Sequence, residues 1–333
     1  YWEQSFFFNP KTLLYNLYYY LFGRFTGMFP YFVCSFLALY YFIRQILVKM
    51  LSPLRKLELM RRGILLFTIG ANIVAYIIMA PINYHGGSGA LGNRFFLNIY
   101  PAFLFLMTTV VRRDREQRVP VPLVICWIIG SLFLAQVLLN PFQSSYFPAA
   151  QAFKFPYRFL PVELTMINAI PTHVNPHLMQ AIDTADPPYR LYFLDENATD
   201  IQAREFWIKG ERTAEFVVLT YTPQQYLVVT LTNGPVGNYV DISVAGTTQT
   251  VRFKTPGEKR RLVFPLTWSM PYFKASLYPV KIRSHTGFVP KFTEGIALDD
   301  RRYLGCRVRL SLNPLEIGKA CLENDQPQEA LIV

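Results

Sequence analysis

The sequence predicts a membrane α-helical bundle of about four transmembrane helices, with an interfacial helix at its N-terminal side, followed by an extracytoplasmic all-β sandwich. Three observations predict it. Mean hydropathy is +0.20 and 52% of the 333 residues are hydrophobic, more than in ordinary soluble chains and concentrated before residue 140. The net charge of +11 is lopsided, with 13 Lys/Arg against 4 Asp/Glu in residues 1–142 and near balance after that. From Tyr189 onward, short β-branched and aromatic runs alternate with Asn/Gly/Pro turns. A nucleic-acid partner would need its basic residues clustered on a soluble face, so the charge distribution argues against one.

Residues 1–28 are expected to lie along the outer membrane face. Asn9 followed by Pro10 is a helix-start signal, and Gly23 is a stop. The run between them is too short to span a bilayer, and its Tyr15, Tyr18, Tyr19 and Tyr20 suit the headgroup layer. The chain begins with Tyr rather than Met and carries no basic stretch before an apolar run. It is therefore expected to be a fragment or a processed piece, with no secretory signal at this start.

Residues 29–140 are expected to hold transmembrane helices over 29–48, 64–82, 95–111 and 121–139. Arg44, near the end of the first, can snorkel to the surface. The connectors set the orientation. Lys49, Arg55, Lys56, Arg61 and Arg62 follow the first span, and Arg112, Arg113, Arg115 and Arg118 follow the third. Such loops stay cytoplasmic. The loop from Asn83 to Arg94, residues 1–28 and everything after Leu139 then lie outside.

Residues 141–188 are a proline-dense connector with room for one short helix near Val162 to Ala169, and residues 189–333 are the sandwich. Strands are expected at Arg190–Leu194, Ala214–Thr220, Tyr226–Leu231, Tyr239–Val244, Thr248–Phe253, Arg261–Pro265, Phe273–Val280 and Arg302–Leu310. Cys34 and Cys126 fall in spans. Cys306 and Cys321 fall in the outer domain, where an oxidising compartment permits a disulfide.

The candidate chemistry sits in the Gly-rich outer loop. Gly86-Gly87-Ser88-Gly89 lacks the Gly-Lys-Ser/Thr ending of a nucleotide cradle. A lipid-linked phosphate lies at this depth, however, and backbone N–H groups with Arg94 suit it. The candidate binding residues are His85, Gly86, Gly87, Asn93 and Arg94, with Arg24 as a second cation. The bland reading is a turn whose Arg94 anchors the next span. His173 and His177 have metal-ligand spacing, but Pro176 between them argues against a helix, so no metal site and no cofactor is expected. Asn197-Ala198-Thr199 matches a glycosylation sequon.

Asn9-Pro10 with Leu13-Leu14, Phe22-Gly23-Arg24-Phe25-Thr26-Gly27, His85-Gly86-Gly87, Leu91-Gly92-Asn93-Arg94-Phe95-Phe96-Leu97 and Tyr100-Pro101 together resemble the last membrane part of bacterial polytopic proteins grouped with the superfamily-C glycosyltransferases. Glu205-Phe206-Trp207-Ile208-Lys209-Gly210 and Gly287-Phe288-Val289-Pro290 resemble the C-terminal domain of the same proteins. The resemblance implies an enzyme of the bacterial inner membrane that takes a sugar from a polyprenyl-phosphate carrier and passes it to a glycan acceptor. The family's usual catalytic carboxylate lies in an earlier outer loop, and the only acidic residue here outside the membrane before residue 143 is Glu3. No catalytic residue is assigned. The alternative is a non-catalytic, membrane-anchored envelope protein whose sandwich binds glycan, with Trp207, Trp268, Tyr272 and Phe273 as candidate stacking aromatics. A transporter is disfavoured, because no span carries a central acidic residue.

Overall fold

The computed structural model describes residues 9–47, 53–84, 92–107, 121–142, 152, 154–167, 180–183, 188–202, 205–272, 275–293 and 301–323. The chain divides into two compact units, Tyr1–Pro171 and Thr172–Val333.

The first unit is helical. Helix α1 (Pro10–Phe22) starts where the Asn9 side chain accepts from Lys11 N at 2.9 Å and stops at Gly23, as the capping signals predict. Span 29–48 is interrupted. A single turn, α2 (Met28–Tyr31), ends at Phe32, and α3 (Val33–Leu47) follows, with Arg44 exposed in its last turn. Helix α4 (Pro53–Met79) starts well before the expected 64–82, and its Lys56–Met79 stretch is the one described helix long and apolar enough to cross a membrane. Helix α5 (Val121–Leu139) has the helical bounds expected of the fourth span.

The third expected span is corrected. Over 94–106 the chain forms 3-10 helix at Arg94–Phe96 and Tyr100–Leu106 rather than a long α-helix. Pro101 cannot donate to an α-helical ladder. A three-residue period instead aligns Tyr100, Phe103 and Leu106, all buried, on one face. At ~2 Å per residue, the second segment spans only about 14 Å. The buried set of this unit includes Tyr20, Phe25, Phe42, Ile73, Ile77 and Tyr100, with Phe32 stacked on Tyr100 at 4.0 Å.

The second unit is a β-sandwich of two antiparallel sheets. Strands are β1 (Gln180–Asp183), β2 (Tyr189–Phe193), β3 (Ala198–Thr199), β4 (Glu205–Lys209), β5 (Thr213–Thr220), β6 (Tyr226–Asn233), β7 (Asn238–Val244), β8 (Thr247–Phe253), β9 (Lys259–Pro265), β10 (Met270–Tyr272), β11 (Ala275–Ser284) and β12 (Leu304–Ser311). One sheet runs β1-β2-β5-β11-β7-β8, with β10 on β11, and the other runs β3-β4-β12-β6-β9. All eight expected strands are present. Strands β1, β3, β4 and β10 lie outside the expected set; in β4 Glu205 and Lys209 fit a period of two, but Trp207 on the same outward row makes Phe206-Trp207-Ile208 read as an unbroken apolar run.

The core lies between the sheets and centres on Phe193, Phe206 and Phe216, whose rings meet at 5.0–5.6 Å. A further helix, Pro314–Glu323, lays Ile317, Ala320 and Cys321 over Val228 and Val263. Cys306 belongs to the central core and Cys321 to this outer cluster, and the two do not form a disulfide. Burial pushes the Cys306 thiol up to about 12.

Two outcomes follow from an inter-sheet core confined to one unit. Residues 172–333 expressed alone give β-type circular dichroism and one cooperative melt. Phe216→Ala in that segment costs about 3–5 kcal/mol by chemical denaturation.

Candidate functional site

Two clusters merit description, one in each unit. In the helical unit the loop from Gly23 to Gly27 wraps a buried carboxylate. Phe25 N and Thr26 N each donate to Glu163 Oε1 at 2.8 Å, and Thr26 Oγ1 donates to it at 3.1 Å. Gly23 is required here by space, since a Cβ would run into Glu163 Oε1 and the Tyr19 carbonyl. Arg24 N donates to Pro161 O at 2.8 Å. The Arg24 guanidinium donates to Leu160 O at 3.2 Å and to Arg158 O at 2.8 Å. The loop is thus stitched to residues 158–163 by backbone and side chain alike. Glu163 is fully buried, and its Oε2 has no hydrogen-bond partner among the described residues. Desolvation pushes its carboxyl up to about 7, against the opposing pull of the Thr26 and Phe25 donors.

The end of the Gly-rich loop docks on the same loop. Gly92 N donates to Phe25 O at 2.7 Å, with Gly92 in the left-handed region at φ 79° over the Tyr31 ring. Asn93 follows, buried, with neither side-chain polar atom partnered among the described residues. Arg94 is exposed. The structure therefore brings Asn93 and Arg24 to one loop cluster, with Arg94 beside Asn93. Arg24 is turned inward onto carbonyls, an arrangement that holds the loop. His85, Gly86 and Gly87 lie outside the described residues. No group of three His, Cys, Asp or Glu that could hold a metal occurs among the described residues.

The second cluster stands on the outer face of the β8-β7-β11 part of the sandwich. Alternation in β7 turns Val240 and Ile242 inward and Tyr239 and Asp241 outward. The β7–β8 hairpin turns at Ala245 and Gly246, both at positive φ, the geometry of a two-residue primed turn. That register sets Tyr239 opposite Arg252 and Asp241 opposite Thr250. On the other side β11 sets Arg283 opposite Asp241.

His285, just past β11, stacks on Tyr239 with ring centroids 3.9 Å apart and planes 19° apart. Its Nε2 meets Asp241 Oδ2 at 2.6 Å, while Thr250 Oγ1 donates to Asp241 Oδ1 at 2.6 Å. The Thr250 and then the His285 hydrogen bond hold the Asp241 carboxyl below its usual range. Beneath, Asn238 Nδ2 donates to Ser284 Oγ at 2.8 Å and Thr286 N donates to Asn238 Oδ1 at 3.0 Å, which fixes the backbone that carries His285. The result is an exposed Tyr239 ring, stacked on a half-buried His285, beside oriented polar groups.

The aromatics singled out in the sequence do not form this surface. Trp207 is half-buried, edge-on to Phe288 at 5.7 Å, in the other sheet. Tyr272 is buried and Trp268 is exposed, while Phe273 lies outside the described residues. The Asn197 amide of the sequon donates to Thr213 O at 2.8 Å, so the nitrogen a glycan would take is engaged. The alternation of Tyr239, Asp241 and Ser243 was a readable signal for an outward row, whereas the pairing with His285 was not.

No family model matches the chain, and no curated protein matches it. Among solved structures, similarity is found to three carbohydrate-binding modules. One is a family 35 module from an environmental isolate, at 12% identity over 37% of this chain and 77% of that one, TM-score 0.19. Another is TmCBM61 in complex with β-1,4-galactotriose, at 14% identity over 40% and 83%, TM-score 0.18. The third is a family 35 module from Clostridium thermocellum, at 12% identity over 39% and 96%, TM-score 0.21. Scores this low carry no argument about this chain.

The Glu163 clamp has a pH signature. Its carboxyl titrates higher when folded than its ordinary 4.5, so its stabilising contribution is complete below pH 4.5 and is lost as pH rises to about 7. Hydrogen exchange at the Phe25 and Thr26 amides is expected to quicken over that window, beyond the intrinsic base-catalysed rise. In Glu163→Gln, where the amide oxygen still accepts and nothing ionises, this additional pH dependence disappears.

Proposed function

We propose that the chain is a membrane-embedded helical unit carrying an extracytoplasmic β-sandwich that binds glycan, and that the sandwich itself catalyses no reaction. The observation that carries the reading is the Tyr239–His285 stack, 46% exposed at Tyr239, with the Asp241 carboxylate and the Thr250 hydroxyl beside it. An aromatic face receives the apolar C–H face of a sugar ring, and oriented carboxylate and hydroxyl groups receive its hydroxyls.

Membrane placement is supported by large apolar side chains left exposed on α4 and α5: Phe67 at 76%, Trp127 at 71% and Leu139 at 85%. The basic connectors support an outer position for the sandwich. The expected affinity is weak and stacking-dependent. In calorimetry with a panel of oligosaccharides, Tyr239→Ala is expected to lose about tenfold or more, near the ~1.5 kcal/mol of one aromatic contact. A panel with no binder at all would remove the reading.

A second reading, a piece of a glycosyltransferase that uses a polyprenyl-phosphate sugar, is favoured by one specific arrangement. Exposed Arg94 stands beside buried Asn93, whose amide has no partner among the described residues. A guanidinium grips phosphate in a fork that lysine does not reproduce. Arg94→Lys is therefore expected to weaken binding of a polyprenyl-phosphate sugar by about 1.5–3 kcal/mol with insertion intact. Equal binding in wild type and Arg94→Lys would leave Arg94 as a membrane anchor.

A further inference from the structure

We propose that the Tyr239 platform selects anionic saccharides, through Arg252 and Arg283; the inference rests on the glycan-binding reading above. Arg260, Arg261, Lys281, Arg302, Arg307 and Arg309 each meet a carboxylate, at 2.5–3.1 Å. Arg252 and Arg283 meet none among the described residues, and they are the two guanidinium groups that flank the aromatic stack.

Arg252 is exposed opposite Tyr239 on β8, and Arg283 is exposed opposite Asp241 on β11. Two strand spacings of ~4.8 Å and a two-residue offset of ~7 Å along the strands put the two about 12 Å apart, diagonally across β7 with the Tyr239 and Asp241 positions between them. Asp241 is the one carboxylate in the patch, and both of its oxygens are already engaged, Oδ1 by Thr250 and Oδ2 by His285. It neither neutralises both arginines nor offers a free oxygen to a second partner. The patch therefore presents net positive charge with two unspent forks beside an aromatic face. A carboxylate or sulfate on a sugar ring fits that arrangement, and a neutral ring leaves the forks unused. Carboxylate and sulfate share this chemistry, and the experiment separates them.

The test uses the full chain in detergent with four probes: a galacturonate tetrasaccharide, its methyl ester, a sulfated tetrasaccharide and inorganic sulfate. The ester removes only the charge. At least one charged tetrasaccharide is expected to bind tenfold or more tighter than the ester, with affinity falling as salt rises. Arg252→Ala and Arg283→Ala are each expected to erase most of that difference while leaving ester binding unchanged. Arg283→Lys keeps the charge without the fork and is expected to recover part of it. Melting curves guard against misfolding, and both side chains are exposed. Equal binding of charged and neutral tetrasaccharides overturns the inference and leaves the glycan reading standing. Inorganic sulfate binding as tightly as the sulfated sugar overturns it too, since the platform would then be a plain anion site. No binding of any tetrasaccharide overturns both.

Discussion

A buried backbone donor must find an acceptor, and in the helical unit that requirement falls on one carboxylate. The Gly23–Gly27 loop turns too sharply to satisfy its own N–H groups at Phe25 and Thr26. Glu163 Oε1 accepts both and the Thr26 hydroxyl as well. Almost everything nearby follows from that choice. The carboxylate is reached only because position 23 lacks a Cβ. Arg24 is drawn across to the carbonyls of 158 and 160. With both faces of the loop occupied, Phe25 O is left to receive Gly92 N, and the end of the Gly-rich loop is located. Asn93 is buried as a consequence, and Arg94, one residue later, emerges at the surface. A sequence segment read as a substrate loop is thus positioned by a residue some 70 positions downstream.

The sandwich solves the same problem by pairing strands, and register does there what Glu163 does in the helical unit. Strand β11 lies between β5 and β7, and its pairing fixes which residues face out together. A slip of one residue would bury Arg283 and Lys281 and expose Val280 and Ile282, so the core and the outer platform are specified by one register. The buried Asn238–Ser284 hydrogen bond secures the end of that pairing, where His285 leaves the strand to lie on Tyr239. The platform is therefore pre-organised by the fold and not assembled by a loop.

What was legible in the sequence follows from the range of the contacts involved. Helix α1 was legible because its signals, Asn9, Pro10 and Gly23, act within a few residues. The eight expected strands were legible because alternation and turn residues are local. The stretch 95–111 is not legible as 3-10 structure, because apolar length alone does not separate an α-helix from a buried 3-10 segment and the one local breaker of the ladder is Pro101. Helix Pro314–Glu323 was missed because ten residues with a single apolar stripe resemble a loop until Val228 and Val263 are seen beneath them. Of the candidate site, Arg24, Asn93 and Arg94 were identified by residue type, but the inward use of Arg24 was invisible, because its acceptors lie at 158 and 160. Glu163 and the Tyr239–His285 pair were overlooked for the same reason. Each is defined by a partner between 44 and 138 positions away.

Charge is distributed differently in the two units. The excess of Lys and Arg before residue 142 lies mostly in the connectors, the placement expected of a chain oriented by a bilayer. The sandwich is nearly balanced, and among the described residues six of its Lys and Arg side chains meet carboxylates, two of them supplied by the helix Pro314–Glu323 to Arg261 and Arg309. Exposed pairs of this kind add little stability each, but they cancel charge locally. Two guanidinium groups that meet no carboxylate among the described residues stand beside an aromatic stack, and Arg283 helps hold the Asp241 carboxylate ionised. An unmatched positive patch costs little in water and gains most when an anion arrives to desolvate it. Under the proposed reading the two halves use charge differently: in the first it would set orientation, and on the sandwich Arg252 and Arg283 face outward beside the aromatic stack.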